Sequence, residues 1–289
     1  MTEGSQTVTG YEEPQAPVAR LFDQVADGYD RAALRFFPFT ADRLAQRLAP
    51  RPGEKILDVA TGTGAVAVAV GQRLSGNRDG GGRIMAVDIS ERMLDRAYAN
   101  VRRMALHNVD LHPMDAAALE FRDSYFDALT CSFGLFFLPD MAAALREWRR
   151  VLRPGGRLLL TSFGSEAFQP LAGWFCEQLQ ACGGPSIRPE DFAWQRLATA
   201  EAATALLAEA GFEQIECVTE QLGYHLQAAQ EWWEIVWNTG YRGHLATLDA
   251  AALARFEQQH LERIGAAFED GKLWLNVPVL FVSARVAET

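Results

Sequence analysis

The sequence predicts a doubly wound α/β sheet. Three observations carry this. A continuous apolar run, "KILDVA", reads as a strand buried on both faces. It is followed by the glycine turn "TGTG" and a helix-forming stretch. Strand and helix patterns then alternate five times up to Phe163, as a parallel sheet with helical crossovers requires.

Ahead of the first strand, "VARLFDQVADGYD" places Val18, Leu21, Phe22 and Val25 at helical spacing. "TADRLAQRLAP" predicts a second helix that ends before Pro52. Within the core, "GAVAVAVGQRL" is the first helix and "SGNRDGGG" a flexible loop. "RIMAVDIS" is strand two. Ser90 is placed to cap the next helix, "SERMLDRAYANVRRM", whose Met93, Leu94 and Ala97 form one stripe. "VDLHPMDA" and "FDALTCSFGLFF" are strands three and four. Asp140 caps "DMAAALREWRRVL", "RPGG" stops it, and "RLLLTSF" is strand five. A later helix closes at Gly211 before strand six, residues from Gln230 to Asp270 read as helical, and "KLWLNVPVLFVSARV" ends the chain as a strand or bent strand.

The chain has 289 residues and a formal net charge of -10. A net acidic surface disfavours a nucleic-acid partner. Arg146, Arg149, Arg150 and Arg153 sit near the end of a predicted helix, where cations suit the macrodipole. Cysteines 131, 176, 182 and 217 show no metal spacing, and fit a reducing cytoplasm without a metal site. No apolar run is long enough to span a bilayer, and no signal peptide is visible.

The glycine turn admits two ligand classes. "GTGAVA" matches the dinucleotide fingerprint, with Asp88 at the distance expected of a ribose-binding acid. A nicotinamide-dependent oxidoreductase is therefore one reading. Asp58 at the mouth of strand one speaks against it, because a carboxylate there repels a pyrophosphate and suits an ammonium-bearing ligand.

Taken together, "FDQVADGYD", "ILDVATGTGAVAVAV", "VDISERML", "MDAAALEF", "FDALTCSFGL" and "VLRPGGRLLL" resemble the class I S-adenosylmethionine (SAM)-dependent methyltransferases, in particular the UbiE-like small-molecule group. The stretches cover roughly Leu21 to Phe163 in the family's order. The resemblance implies a Rossmann-like, mostly parallel seven-stranded sheet with a helical cap near the C-terminus. Its divisions would be a disordered 1–17, a helical lid over 18–50, a SAM-binding core over 51–228, a substrate cap over 229–271 and a final strand over 272–289.

It also implies a cofactor site. Gly62 and Gly64 would line the methionine part of SAM, with Ala60 and Thr61 contributing backbone. Asp88 would hold the ribose hydroxyls; its other reading is a second cap for the helix at Ser90. Ile89 and Met93 would sandwich the adenine, or serve as plain core. Asp115 would take the adenine amino group beside the Ala116 N–H, or act as a turn acid. Ser132 and Phe133 would lie near the reacting methyl, and Tyr29 would belong to the lid. Many members of the family have glycine where this chain has Ala60.

Chemistry beyond the cofactor is read from the second half. Tyr224, His225 and His244 are candidate bases, alongside Tyr241 and Glu231. In "EWWEIVWNTGYRGH", Trp233 and Trp237 stand one helical turn apart. They either pack a helix on the sheet edge or form an aromatic wall with Phe36, Trp174 and Tyr241, joined by Trp194, Phe175, Phe37 and Phe39. The expected activity is methyl transfer in line from SAM to a small aromatic, apolar or amine-bearing molecule. The remaining alternative is a non-catalytic module that keeps the fold.

Overall fold

The structure is a computed structural model and describes residues 16–75 and 81–288. The tail expected to be disordered lies outside the described residues except for Ala16 and Pro17, which open helix α1 (Ala16–Val25) instead. Proline is tolerated there because the first N–H groups of a helix have no intrahelical acceptor to lose. Residues 76–80 of the glycine-rich stretch also lie outside the described residues. A 3-10 turn at Ala26–Gly28 leads towards α2 (Phe36–Leu48), which starts earlier than the apolar pattern indicated.

The core follows as β1 (Lys55–Val59), α3 (Ala65–Ser75), β2 (Arg83–Asp88), α4 (Glu91–Arg103), β3 (Val109–Pro113), β4 (Phe126–Ser132), α5 (Met141–Val151) and β5 (Leu152–Phe163). Both predicted caps form. Met93 N–H donates to Ser90 Oγ at 3.1 Å, and Ala143 N–H donates to Asp140 Oδ1 at 2.8 Å. Beyond β5 come α6 (Leu171–Ala181), α7 (Ala200–Glu209), β6 (Glu213–Gln221), β7 (Tyr224–Leu226), α8 (Ala229–Trp237), α9 (Tyr241–Leu245), α10 (Ala250–Ala266), β8 (Leu273–Leu275) and β9 (Pro278–Arg285). Gly211 follows α7 at φ +85°, a left-handed exit that a side chain would resist.

The main sheet has seven strands in the order β3-β2-β1-β4-β5-β9-β6. β1 through β5 are parallel, and β9 runs antiparallel to both β5 and β6. The chain moves outward from β1 to β3 and then returns to place β4 beside β1. The crevice at the carboxyl ends of β1 and β4 is therefore the topological switch point.

The last strand differs from expectation. "KLWLNVPVLFVSARV" is two strands, since β8 pairs with β7 in a separate ribbon and only β9 enters the main sheet. The break is held by side chains. Gln221 Nε2 donates to Asn276 Oδ1 at 2.7 Å, Val277 N–H donates to Gln221 Oε1 at 2.9 Å, and Asn276 Nδ2 donates to Glu166 O at 2.6 Å. Pro278 lacks an N–H and so starts the new strand without leaving a donor unpaired.

The N-terminal segment lies between the core and the C-terminal helices. Its closest approach is at Gly28, where an added Cβ would fall 1.8 Å from Asn238 Oδ1. Asn238 is buried and its amide is committed to Glu234 O at 2.8 Å, so it cannot simply swing away. Among the described residues, no helix is long and apolar enough to cross a membrane. Gly28→Ala is expected to cost about 1–3 kcal/mol by overpacking, seen as a lower midpoint in thermal unfolding. Adding Asn238→Ala should recover most of that loss, and an unchanged midpoint in the single variant would contradict the close approach.

Candidate active site

Two backbone bends shape the switch point. Ala60, just after β1, has φ +52°, and Phe133, just after β4, has φ +56°. Left-handed backbone costs a residue with a Cβ roughly 1–2 kcal/mol, which is why glycine is favoured at such positions. The Ala60 Cβ is accommodated because its neighbour is Gly134, where an added Cβ would lie 2.5 Å away. Gly62 (φ +56°) and Gly64 (φ +84°) complete the first bend. Around Gly62 the space is open, with the nearest atom to an added Cβ being Tyr29 Cε1 at 4.0 Å.

Three cavities open from these bends. The first, about 380 Å³, is lined by Tyr29, Asp58, Ala60 to Gly64, Asn100, Ser132 and Phe133, among others. The second, a slot of about 70 Å³, is lined by Asp88, Ile89, Met93, Met114 and Ala116, together with Phe22, Tyr29 and Phe137. The third, about 310 Å³, is mostly aromatic and includes Phe36, Phe133, Phe163, Trp194, Tyr241 and His244. Tyr29 and Phe133 line all three.

The acids of the site are set by hydrogen bonds. Asp88 ties the first bend to the start of α4, with Oδ2 accepting Gly62 N–H at 2.8 Å and Oδ1 accepting Ser90 N–H at 2.9 Å. Burial raises its pKa, and these N–H donors partly oppose the shift. Its role is not helix capping, because Ser90 supplies the side-chain cap. Asp58 is buried in β1 and accepts Thr61 Oγ1–H at 2.6 Å and Thr130 Oγ1–H at 2.7 Å. Burial pushes its pKa up to about 6 against the effect of both hydroxyls. Asp115 does not line the slot, and its Oδ1 accepts Ala117 N–H at 2.7 Å in a local turn. The neighbouring Ala116 does line it.

The N-terminal segment closes over this region through its own acids. Ser90 Oγ donates to Asp23 at 2.6 Å, and Thr63 Oγ1 donates to Asp30 at 2.6 Å. Asn100 Nδ2 bridges Asp30 and Thr63 O, at 3.0 Å each. Tyr29 is stacked on Phe37 with centroids 4.6 Å apart, and its hydroxyl pKa is raised by burial and by the nearby Asp88 and Asp30 carboxylates.

The residues expected at the far side of the site divide sharply. Phe36, Tyr241 and His244 line the aromatic cavity, as do Phe37 and Trp194. Trp233 and Trp237 do not: they stack on each other at 5.6 Å, Trp233 meets Phe256 of α10, and the Arg242 guanidinium covers Trp237 at 4.4 Å. Their face of α8 is a packing face, and Trp232 is the tryptophan that backs the cavity, 6.2 Å from Phe168 and 5.5 Å from Tyr241. Trp174 lies under the Arg263 guanidinium at 5.1 Å, outside the cavity lining. Phe39 is exposed on α2.

Tyr224 and His225 lie on the β7–β8 ribbon and line none of the three cavities. The Tyr224 hydroxyl donates to Ala33 O beneath the Arg35 guanidinium, and exposed His225 packs against Trp274. Sequence spacing could not place them, because the ribbon turns that strand away from the switch point. Phe163, Phe168 and Phe192 line the cavity without having been singled out, since each sits in an ordinary apolar run.

Because Asp58 is held up to about 6 in the fold, its proton is bound more tightly there than in the unfolded chain. Its contribution therefore favours folding at low pH and is lost as the pH rises through about 6. Asp58→Asn should remove a loss of about 2 kcal/mol between pH 4 and pH 7.5 in denaturant unfolding. A wild-type profile that the substitution leaves unchanged would contradict the burial argument.

Comparison with known proteins adds relatives to this geometry. The profile of the ubiE/COQ5 methyltransferase family matches residues 8–178. The ubiquinone/menaquinone biosynthesis C-methyltransferase UbiE of Klebsiella pneumoniae (strain 342) is 36% identical over 185 residues, 60% of this chain and 72% of that protein. The nocamycin O-methyltransferase of Saccharothrix syringae is 28% identical over 277 residues, 92% of this chain and 97% of its own length. The crystal structure of the [4+2]-cyclase SpnF shares the fold, with a TM-score of 0.59 at 22% identity over 94% of this chain and 96% of that one.

Proposed function

The chain belongs to the ubiE/COQ5 methyltransferase family, and from that premise we propose how its three cavities divide the reaction. It is a SAM-dependent methyltransferase of class I fold, acting on a small molecule. The oxidoreductase reading and the non-catalytic module give way to this membership.

The residues of the first two cavities fit the cofactor. The open space at Gly62 admits a ligand that a Cβ would exclude, and the apolar slot beside Asp88 suits a flat base. Asp88 would hold the ribose hydroxyls, with Ile89 and Met93 against the adenine and the Ala116 backbone at its edge. Asp115 would take the adenine amino group beside Ala116, while its Oδ1 holds the Ala117 N–H of its own turn. Ala60, Thr61, Gly62 and Gly64 would surround the methionine part. Asp58, which the sequence set apart for its charge, would face the ammonium. Ser132 and Phe133 would stand beside the transferable group, under Tyr29.

The bound cofactor supplies an electrophilic methyl on a sulfonium. The chain's task is to align an acceptor with it and to exclude water. Proximity of this kind is worth roughly 7–11 kcal/mol. The observation that carries the assignment is the shared junction: Tyr29 and Phe133 line both cofactor cavities and the aromatic one, so an acceptor in the latter meets the methyl there.

The acceptor we propose is a hydroxyl on an apolar small molecule. The relative aligned over 92% of the chain is named for O-methylation, and Trp194, Tyr241 and His244 of the aromatic cavity lie beyond residue 178, where the ubiE/COQ5 match ends. Among the described residues no carboxylate lines the aromatic cavity, which leaves an amine without a counter-ion. Among the described residues His244 is its one imidazole, and burial lowers its pKa, so the ring is neutral and available to take a proton near pH 7.

Asp88→Ala is expected to weaken S-adenosylhomocysteine binding by about 1.5–3 kcal/mol in calorimetric titration. Binding of NADH in place of the adenosyl ligand, or unchanged affinity in the variant, would overturn the cofactor assignment. His244→Gln should lower kcat for a hydroxyl acceptor by about 10²-fold while leaving cofactor affinity intact. An unchanged kcat would remove His244 from the reaction.

A further inference from the structure

The loop that follows β4 cannot complete its own hydrogen bonds. It turns through the 3-10 helix Leu135–Phe137, where Phe137 N–H donates to Gly134 O at 3.1 Å and Leu138 N–H donates to Leu135 O at 3.0 Å. The next bond of that series would run to Phe136 O from Pro139, which has no N–H. Arg196 supplies the missing donor from a distant segment. Its Nη1 donates to Phe136 O at 2.9 Å and to Leu138 O at 2.8 Å, and its Nη2 donates to Pro139 O at 3.0 Å. Three carbonyls gathered on one guanidinium suit its planar fork of donors, and bonds from a charged donor are the stronger kind.

Both sides of this clamp belong to the site. From the loop, Phe133, Gly134, Phe137 and Leu138 line the slot beside Asp88, while Phe133, Phe136 and Phe137 line the aromatic cavity. Arg196 sits in the 3-10 segment Ala193–Leu197, whose Ala193 and Trp194 line that same cavity. Next to it, Gln195 Nε2 donates to Ser165 O at 3.0 Å, just past β5. One short segment is thereby tied to the chain leaving β4 and to the chain leaving β5. Arg196 lies beyond residue 178, where the family match ends, whereas the loop it holds lies within that match.

Resting on the assignment of these cavities to cofactor and acceptor, we infer that Arg196 is a positioning residue for methyl transfer, holding the loop after β4 in the one place that serves both ligands. It lines none of the three cavities and so acts through the loop. With the guanidinium in place, the wall shared by slot and aromatic cavity is set before either is filled. Without it, only a fraction of molecules keep the loop there, and the apparent affinity of each ligand falls by that fraction. The first ligand to bind restores the loop, so the second then binds as it does to the wild type. Removing Arg196 therefore creates a coupling between the two ligands.

The test titrates the full chain with S-adenosylhomocysteine and with 2-naphthol, a flat apolar hydroxyl compound of the proposed acceptor class, each alone and in the presence of the other. Arg196→Met keeps an apolar stem and removes the donors. It should bind each ligand alone about tenfold more weakly than the wild type, and the tightening of one ligand by the other should rise by about tenfold. Arg196→Lys, which keeps the charge but not the fork, should show the same changes to a smaller degree. A merely structural role would lower the unfolding midpoint without creating that coupling. On the wild type, amide hydrogen exchange at Phe137 and Leu138 should already be slow with no ligand added, a readout that needs neither variant to fold. Rapid exchange there, variants that bind each ligand as the wild type does, or a loss that the second ligand does not restore overturns this inference alone. A wild type that binds S-adenosylhomocysteine but not 2-naphthol overturns it together with the acceptor reading it rests on. Failure of S-adenosylhomocysteine to bind instead counts against the cofactor assignment.

Discussion

Two left-handed bends pressed against each other are the constraint on which the site depends. Ala60 and Phe133 leave their strands with positive φ at the one place where the sheet order reverses. That conformation drives the chain sharply away from the strand axis, so a crevice opens between β1 and β4. The bends can sit this close only because Gly134 offers no Cβ where the Ala60 methyl lies. Where many members of the family have glycine, this chain carries Ala60, and Gly134 opposite leaves room for its methyl. Asp88 then locks the first bend from the side by accepting the Gly62 N–H.

The aromatic cavity obeys a different rule. It is built from rings supplied by α2, the loop after β4, the end of β5, the segment before α7 and α9, which come together only when the C-terminal helices dock. An empty apolar cavity forgoes part of the burial energy of its lining, about 25 cal/mol for each Å² left uncovered, so an apolar occupant is favoured by the same effect that forms the core.

Between these regions lies the N-terminal segment. It is held to the core by Asp23, Asp27 and Asp30, and to the C-terminal half by Arg31–Glu234 at 2.9 Å and by Arg35 over Tyr224 at 3.6 Å. Several of these partners are well exposed, and exposed ion pairs contribute roughly 0–1 kcal/mol each. Burial of Val25, Ala26, Ala33 and Leu34 attaches the segment more firmly than these pairs do.

The sequence by itself determined the α/β class, the run of strands and helices from β1 to β5, the caps at Ser90 and Asp140, and a glycine turn open to an adenosine-bearing ligand. These are local facts. Hydrophobic period, cap chemistry and the need for glycine at positive φ are all written within a few residues of where they act. Tertiary structure decided which residues of the second half face the site. The period of α8 put Trp233 and Trp237 on one face, but only the docking of α10 made that face a packing face, with Trp232 turned towards the cavity instead. Likewise Asn276 and Gln221 split the final strand, carrying Tyr224 and His225 away from the chemistry, while His244 stayed beside it. Side-chain direction at such places is set by contacts between segments far apart in the chain, and no window of sequence contains both partners.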